Sequence, residues 1–234
     1  MDLCGRLPRK QPSPPARKRV LLVDDHPITR QGLAAMIGLE SDLEVCGEAE
    51  NAAEALNSVQ RLRPDLVLVD LSLPGRSGLE FMKDLVAGHP QIPALVLSMH
   101  DESLYAERAI RAGSRGYLMK SAGGRAVMEA IRTVLAGQIY VSPSVSSRIL
   151  ESLSHARPTS GNPDGPIRQL SDREFEVFQL IGQGLGTREI AGRLNLSIKT
   201  VEAHRARLKE KLGAKDAPAL VREAVRWVES QAGV

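Results

Sequence analysis

Three aspartates directly follow two short apolar runs of the chain. Asp24 and Asp25 come after residues 20–23, and Asp70 comes after residues 66–69. Runs of this length are typical of strands buried on both faces of a parallel sheet, and such strands end at a common edge. We therefore expect the three carboxylates to form one site. Crowded carboxylates repel one another and commonly hold a hard cation such as Mg2+, beside which one carboxylate can attack phosphorus.

Two further polar residues occupy equivalent positions. Ser98 ends the fourth apolar run and Lys120 follows the fifth, so both are expected at the edge that carries the aspartates. An aspartate that accepts a phosphoryl group needs such neighbours, because a cation and an ammonium balance the phosphoryl oxygens and a hydroxyl donates a hydrogen bond to one of them. Each residue alone is ordinarily a solvated lysine, a strand-end hydroxyl or an acidic turn. Their coincidence at strand ends predicts a phosphoryl-acceptor site.

Apolar runs that alternate with helical segments predict an α/β domain at residues 18–141. Two of the helix starts, Asn51 with Glu54 and Ser77 with Glu80, match the spacing of a capping box. The alternation predicts a (βα)5, flavodoxin-like, doubly wound domain with a parallel sheet and helices on both faces. The expected strands are residues 20–23, 43–46, 66–69, 94–97 and 116–118.

The composition changes sharply after residue 141. Residues 142–167 are rich in Ser, Pro and Gly, which predicts a linker between two domains. Apolar residues within the linker have the spacing of a short helix that rests on one of the domains. These residues are Val145, Ile149, Leu150 and Leu153.

A second, smaller all-α domain is expected at residues 168–234. Its helix starts and stops are marked by capping residues and by glycine. Two short helices, a tight turn and a longer helix follow one another in the order of a helix-turn-helix. The expected boundaries are Ser171 with Glu174 for the first helix, Thr187 to Leu194 for the second, residues 198–212 before Gly213 for the third, and about Ala217 for the start of the last.

The helix at residues 198–212 has the character of a DNA-reading helix. Residues 199–215 hold six Lys or Arg against two Glu, and small alanines between long polar side chains would let the helix enter a major groove. One side is apolar and carries Val201, Leu208 and His204, so this histidine is expected to be packed or to contact phosphate. An ordinary amphipathic bundle helix is the alternative. The expected DNA contacts are Lys199, Thr200, Glu202, Ala203, Arg205, Ala206, Arg207 and Lys209.

Charge and composition restrict the possible partners. Residues 1–19 hold six Lys or Arg against one Asp, and residues 167–234 hold 12 against nine acids, whereas the body between them is net acidic. A basic C-terminal segment predicts a polyanionic partner, double-stranded DNA. The Pro-rich tail is interpreted as a solvated leader. No apolar stretch approaches the ~20 residues that span a membrane, so we expect no membrane partner and a cytoplasmic protein.

Four segments, LLVDDHP, LVLVDLSLPGRSGLE, LVLSMHDE and AGSRGYLMKS, resemble the signature segments of bacterial two-component receiver domains. The resemblance implies that a cognate histidine kinase phosphorylates Asp70. It also implies that Ser98 and Tyr117 form a switch pair, in which Tyr117 turns inward when the serine hydroxyl moves toward the phosphoryl group; the alternative is a half-buried strand aromatic. Lys120 is the implied phosphate partner. The implied Mg2+ ligands are Asp24, Asp25, Asp70 and the backbone carbonyl of Ser72.

The segment LSDREFEVFQLIGQGLGTREIAGRLNLSIKTVEAHRARLKEKLG resembles the helix-turn-helix of LuxR/NarL-type regulators. A receiver joined to this reader implies a response regulator that controls transcription. Our hypothesis is that the unphosphorylated receiver and linker dock against the reader, and that phosphorylation releases the reader and promotes a homodimer on inverted-repeat DNA. The dimer contact is expected on the apolar side of the last helix, at Leu220, Val221, Ala224 and Val225.

Two other functions share features with a response regulator. A phosphohydrolase with an aspartate nucleophile shares the chemistry but commonly needs a second acid two residues after the nucleophile, where this chain has Ser72. We therefore expect a protein that is not an enzyme. A DNA-binding protein with a receiver that serves only for constitutive dimerisation is the other alternative, and the complete set of acids, hydroxyl and lysine argues against it.

Overall fold

A computed structural model describes residues 16–147 and 166–232 of the chain. Its first part contains a five-stranded parallel sheet in the order β2-β1-β3-β4-β5, with helices on both faces. The predicted (βα)5 fold is therefore confirmed. The order reverses between β1 and β3, which is where ligands bind in sheets of this kind. The strands are β1 (Lys18–Val23), β2 (Leu43–Ala49), β3 (Leu66–Val69), β4 (Ala94–Ser98) and β5 (Gly116–Met119).

The second strand is longer than the sequence predicts. Its expected end at residue 46 is wrong, because β2 continues to pair with β1 as far as Ala49, opposite Val23. The register of this pair shifts between Val20 and Leu21, where β2 has one extra residue. The apolar pattern of β2 is interrupted by exposed acidic residues on this edge strand, and the sheet pairing alone extends it.

Helices cover the two faces of the sheet unequally. Two helices pack on one face and three on the other, and each face has its own apolar cluster. The predicted capping residues are confirmed, since the side chains of Asn51 and Ser77 accept hydrogen bonds from the backbone N–H groups of Glu54 and Glu80. The helices are α1 (Pro27–Gly38), α2 (Ala52–Leu62), α3 (Gly78–Gly88), α4 (Glu102–Arg111) and α5 (Gly124–Leu135).

The C-terminal part is entirely helical. A helical turn, α6, is described at residues 143–147, and residues 148–153 of the expected linker helix lie outside the described residues. Gly186, and not Thr187, caps the helix that begins at Thr187, because the Glu189 carboxylate accepts the Gly186 N–H at 2.7 Å. The helices are α7 (Asp172–Gly182), α8 (Thr187–Arg193), α9 (Ile198–Leu212) and α10 (Ala217–Ala232), preceded by a 3-10 turn at Ile167–Gln169.

The apolar side of α10 packs inside its own domain. Leu220 and Ala224 are fully buried there, so the prediction that they contact a second copy is wrong for this structure. The close approach of α7 to α10 explains their burial, since a Cβ atom on Gly182 would lie 2.5 Å from the carbonyl oxygen of Ala224. Val221 and Val225 remain partly exposed on the same helix.

The C-terminal helices rest on the α3 and α4 side of the sheet domain. One continuous apolar cluster runs from the sheet through Tyr105 of α4 to Phe175 of α7. The packing of the two domains against each other determines which side chains lie beside the acceptor site.

Among the helices of the described residues, none has the length and the apolar character needed to span a membrane.

Candidate acceptor site and nucleic-acid interface

The structure brings the predicted aspartates together at the carboxyl ends of β1 and β3. Asp24, Asp25, His26 and Asp70 each offer a ligand atom, and these atoms lie within 4.8 Å of one another. Sheet pairing continues past the strand ends, because the Asp70 N–H donates to the carbonyl oxygen of Val23 at 2.8 Å. The adjacent strands therefore hold the two segments of acids side by side.

Lys120 reaches the same cluster from the end of β5. Its ammonium lies 2.6 Å from Oδ2 of Asp24 and 2.7 Å from Oδ2 of Asp70, and all three side chains are largely buried. Burial lowers the pKa of Lys120, but the Asp70 and Asp24 carboxylates outweigh it and raise the pKa above its usual value. The lysine therefore stays positively charged beside two acids.

Two carboxylate oxygens of the cluster remain without hydrogen-bond partners in the described residues. These buried atoms are Oδ1 of Asp25 and Oδ1 of Asp70. The Nδ1 atom of His26 lies 2.7 Å from Oδ1 of Asp25 but outside hydrogen-bond geometry. Buried polar atoms ordinarily have a hydrogen-bond partner, so these two oxygens are candidates to bind a ligand. The carboxylate oxygens of this set suit a hard divalent cation.

The loop after β3 is built around a glycine. A Cβ atom on Gly78 would lie 2.3 Å from the carbonyl oxygen of Asp70, so only glycine fits there without a shift of the backbone. The Gly78 N–H donates to the carbonyl oxygen of Leu71 at 2.9 Å. Ser72 lies in this loop, and its hydroxyl lies 3.0 Å from Nε2 of His100. Ser72 follows Asp70 by two residues and therefore belongs to the loop that leaves the acceptor strand.

Ser98 and Tyr117 both bind the backbone of His100. The Ser98 hydroxyl is fully buried and accepts the His100 N–H at 3.3 Å, while the Tyr117 hydroxyl donates to the His100 carbonyl oxygen at 2.8 Å. Tyr117 is 1% exposed, so the expectation of a half-buried aromatic is wrong. The ring is turned inward, and this hydrogen bond compensates for burial of its hydroxyl. Sequence reasoning missed His100 entirely.

The His100 ring connects this pair to the second domain. It stacks on Tyr105 with 4.5 Å between ring centroids, and Tyr105 meets the edge of Phe175 at 5.3 Å. Burial lowers the pKa of His100 although Asp70 opposes the effect, so the imidazole is neutral at pH 7. A chain of ring contacts therefore leads from the β4–α4 loop to α7.

Arg108 of α4 fastens the same interface. Its guanidinium donates to the carbonyl oxygens of Leu170 at 3.1 Å and of Ile167 at 2.8 Å. It also lies 3.8 Å from the centroid of the Phe175 ring. Charged donors to carbonyl oxygens and a cation on an aromatic face both stabilise such contacts. The Nη1 atom of Arg108 also lies 3.5 Å from Oδ1 of Asp172, so one arginine contacts four residues of the C-terminal part.

A second set of charged contacts joins α7 to the acceptor loop. Arg173 donates to the carbonyl oxygen of Gly75 at 2.9 Å and to Oε2 of Glu176 at 2.6 Å. Lys83 of α3 lies 2.7 Å from Oδ2 of Asp172. Burial raises the pKa of Glu176 to about 7, although Arg173 acts in the opposite direction. The domain interface therefore contains a carboxyl group that titrates near neutral pH.

The predicted DNA-reading helix is arranged differently. Ser197 caps α9 by accepting the Thr200 N–H at 3.0 Å. Val201 and Leu208, on the inner side of the same helix, are fully buried. His204 is half-buried, with its Nδ1 lacking a partner among the described residues. The expected contact side chains face solvent even though the domains are docked. Lys199, Thr200, Glu202, Ala203, Ala206 and Arg207 are exposed, and Arg205 and Lys209 are partly exposed.

Two family models match the chain. The response regulator receiver domain matches residues 20–132, and the model described as bacterial regulatory proteins, luxR family, matches residues 168–224. The oxygen regulatory protein NreC of Staphylococcus aureus is 36% identical over 210 residues, which cover 89% of this chain and 97% of NreC.

Two solved structures of RcsB are similar to the chain over both domains. RcsB from Salmonella enterica serovar Typhimurium, bound to promoter rprA in the presence of phosphomimetic BeF3-, has 26% identity and a TM-score of 0.59, covering 90% of this chain and 99% of that chain. A structure of two RcsB dimers bound to two parallel DNAs has 27% identity and a TM-score of 0.54, covering 89% and 98%. The chain therefore belongs to the two-component response regulators that join a receiver domain to a LuxR-family DNA-binding domain.

Proposed function

We propose that this DNA-binding response regulator accepts a phosphoryl group on Asp70 and thereby controls pairing of its DNA-binding domains. The observation that carries the proposal is the surroundings of Asp70. One carboxylate oxygen is held 2.7 Å from the Lys120 ammonium, and the other is buried without a hydrogen-bond partner in the described residues. A carboxylate with one free oxygen beside a fixed positive charge is suited to attack phosphorus.

Mg2+ fits the oxygen set of this site. Asp24, Asp25, Asp70 and the backbone carbonyl of Ser72 would hold it, and the two partner-free oxygens of Asp25 and Asp70 support this assignment. When bound, the cation draws charge from the phosphoryl oxygens. Lys120 contributes a second positive charge on the side of Asp70 and Asp24.

The proposed donor is the phosphohistidine of a cognate histidine kinase. A carboxylate oxygen of Asp70 attacks phosphorus, the phosphorus–nitrogen bond breaks, and the imidazole leaves with the electron pair. The product is an acyl phosphate on Asp70. Lys120 balances the added charge, and the Ser98 hydroxyl at the neighbouring strand end donates to a phosphoryl oxygen.

We infer that the switch runs through His100. When the Ser98 hydroxyl turns to the phosphoryl group, the His100 N–H loses its acceptor, and the loop that positions the His100 ring is loosened. The ring contacts from His100 through Tyr105 to Phe175 then weaken, which favours undocking of the DNA-binding domain. Tyr117 stays inward in this scheme and only its bond to the His100 carbonyl oxygen changes.

The exposure of α9 specifies what docking inhibits. Because the contact side chains of α9 face solvent in the docked arrangement, docking does not act by covering them. We propose that it fixes the orientation of the DNA-binding domain and so prevents two copies from occupying paired half-sites. A dimeric reader on an inverted repeat gains affinity from both sites at once. RcsB dimers on DNA offer a precedent in a similar protein.

The proposed DNA contacts are those of the exposed side of α9. Within the described residues, Lys199, Arg205 and Arg207 make no ion pair, so their charges are available to phosphates. Glu202 can accept a hydrogen bond from a cytosine amine. Val221 and Val225 remain the proposed dimer contact on α10. The protein is proposed to act in the cytoplasm as a homodimer when phosphorylated.

We propose no enzymatic turnover. The position two residues after Asp70 is Ser72, whose hydroxyl is a poor acid for protonating a leaving group. Incubation of the full chain with a chromogenic phosphomonoester and Mg2+ tests this point. Release of many product molecules per protein would instead favour the phosphohydrolase.

The central experiment compares the full chain with Asp70→Asn. Genome-wide footprinting first identifies a target DNA, and binding to that DNA is then measured with and without a small-molecule phosphodonor and Mg2+. We expect the donor to phosphorylate the wild type, to induce dimers and to tighten binding, and to change none of these in Asp70→Asn. Equal donor responses of the two proteins would contradict the proposal.

A further inference from the structure

Arg30 is a charged side chain that is buried close to the acid cluster. It lies on α1, is 7% exposed, and binds three oxygens with its guanidinium. Nη1 donates to the backbone carbonyl oxygen of Asp24 at 2.6 Å, Nε to Glu48 at 3.0 Å, and Nη2 to Glu50 at 2.5 Å. The two glutamates lie on or just after the edge strand β2, so they join the arginine to that strand.

The bond to Asp24 fixes the peptide plane that joins two of the acids. The carbonyl oxygen of Asp24 and the N–H of Asp25 belong to one rigid unit. The other end of Asp24 is fixed as well, since its N–H donates to the carbonyl oxygen of Ala49 at 3.1 Å. With both backbone groups held, Arg30 and the sheet fix the backbone from which the Asp24 and Asp25 side chains extend. The Asp24 carboxylate is also held directly, by the His26 N–H at 2.8 Å and by Lys120 at 2.6 Å.

We propose that Arg30 is a positioning residue that presents Asp24 and Asp25 to Mg2+. The proposal rests on the proposed function of the acid cluster and adds a residue that touches neither the cation nor phosphate. The partner-free Oδ1 of Asp25 is the atom whose position depends on this peptide plane. Groups that orient the ligands of a metal commonly change metal affinity by about 10-fold to 100-fold when they are replaced.

Electrostatics alone predicts that replacement of Arg30 strengthens Mg2+ binding. Arg30→Met removes a positive charge near the acids and leaves Glu48 and Glu50 unpaired, so simple Coulomb attraction would make Mg2+ bind more tightly. If Arg30 positions Asp24 and Asp25, its replacement should weaken Mg2+ binding in spite of the stronger Coulomb attraction. Arg30→Lys keeps the charge but offers a single nitrogen for three acceptors, so only a loss of positioning can weaken binding in this variant.

The matched control is Arg132. This arginine also pairs with two acids, Glu40 at 2.5 Å and Asp42 at 2.8 Å, but it binds no backbone atom of the acid cluster. Arg132→Met therefore removes a doubly paired arginine of the same domain without touching the peptide between Asp24 and Asp25. We expect its Mg2+ affinity to equal that of the wild type.

Calorimetric titration of the full-length proteins with Mg2+ alone tests the proposal. We expect about 10-fold weaker binding or more in Arg30→Met and Arg30→Lys. The initial rate of phosphorylation by a small-molecule donor should fall at limiting Mg2+ and return to nearly the wild-type rate at saturating Mg2+. Circular dichroism and thermal unfolding confirm that the variants are folded, and Arg30→Lys provides the test if Arg30→Met is not.

Wild-type affinity or tighter binding in a folded Arg30→Lys would overturn the proposal. A rate that stays low at saturating Mg2+ would also overturn it, because a general structural defect would then be the cause. Failure of the wild type itself to bind Mg2+ or to be phosphorylated is a different outcome, since it contradicts the proposed function and not the role of Arg30.

Discussion

The acceptor site and the DNA-reading helix use charge in opposite ways. At the acceptor site, Lys120 is largely buried and lies within 2.7 Å of Asp24 and Asp70. On α9, Arg207 is exposed and makes no ion pair with any residue in the described ranges. At the acceptor site the chain supplies opposite charge to its own acids, whereas α9 depends on the ligand to supply it.

This difference predicts how strongly each region responds to substitution. Buried charges lose a partner that water cannot replace, so removal of one group leaves the others uncompensated. Exposed charges are hydrated before and after substitution and contribute little each. The interface between the domains is intermediate, because Arg108 is largely buried where α4 meets the C-terminal helices and donates to carbonyl oxygens across that contact. The following predictions test this ranking.

The largest effect is expected for Lys120→Met. Loss of the ammonium removes the charge that balances the transferred phosphoryl group, so phosphorylation by a small-molecule donor should slow by about 100-fold or more. Mass spectrometry of the intact protein over time measures the rate. Lys18→Met is the control, because Lys18 pairs with Asp65 at 3.0 Å on the surface, with 55% of the lysine side chain exposed. A similar loss in both variants would contradict the ranking.

A smaller effect is expected for Arg108→Gln. Its replacement leaves the carbonyl oxygens of Ile167 and Leu170 without their charged donor, which should weaken docking by about 2 kcal/mol. Small-angle X-ray scattering of the unphosphorylated protein should then give a larger radius of gyration. Arg111→Gln on the same helix removes only a surface pair with Glu107 and should leave the radius unchanged.

Glu176 predicts a pH dependence of stability. Its pKa is raised from 4.5 to about 7 in the folded protein, so the folded state binds the proton more tightly than the unfolded state. The stabilisation is complete below pH 4.5 and is lost as the pH rises through about 7. Over this range the wild type should lose on the order of 3 kcal/mol more than Glu176→Gln. Urea unfolding at several pH values measures the difference, and parallel curves would refute it.

The smallest effect is expected for Arg207→Ala. Removal of one phosphate contact should weaken DNA binding by about fivefold and reduce the slope of affinity against salt by about 1, with no change in thermal stability. Lys211→Met on the same helix is the matched control, since Lys211 lies 2.7 Å from the buried Glu174 carboxylate. That variant should unfold at lower temperature and keep the salt slope. An unchanged slope for Arg207→Ala would remove this residue from the interface.

Local patterns carried much of the prediction. Apolar runs located the strands, and capping residues such as Ser77 and Ser171 located the helix starts, because these signals involve neighbours along the chain. The exposed and buried sides of α9 also followed from helical periodicity. Boundaries failed where pairing with a distant strand decided them, as at the end of β2 opposite Val23.

Contacts between segments far apart in the chain could not be predicted from local sequence patterns. Nothing in the local pattern distinguishes His100 from an exposed loop histidine, yet it binds Ser98 and Tyr117 and stacks on Tyr105. The sequence predicts a dimer contact on the apolar side of α10. Helical periodicity shows which side of a helix is apolar but does not show which element packs against it. In the structure, α7 covers it through Gly182.

The order of residues was enough to predict that acids, a hydroxyl and a lysine end the strands of a parallel sheet and that a basic helix follows a tight turn. These properties depend on residue type and on the two- and 3.6-residue periods of the backbone. In contrast, the three-dimensional packing was needed to find that Arg30 holds the peptide between two aspartates and that Arg108 fastens the DNA-binding domain to the receiver. Such contacts depend on how elements far apart in the chain pack, and no short stretch of sequence encodes that packing.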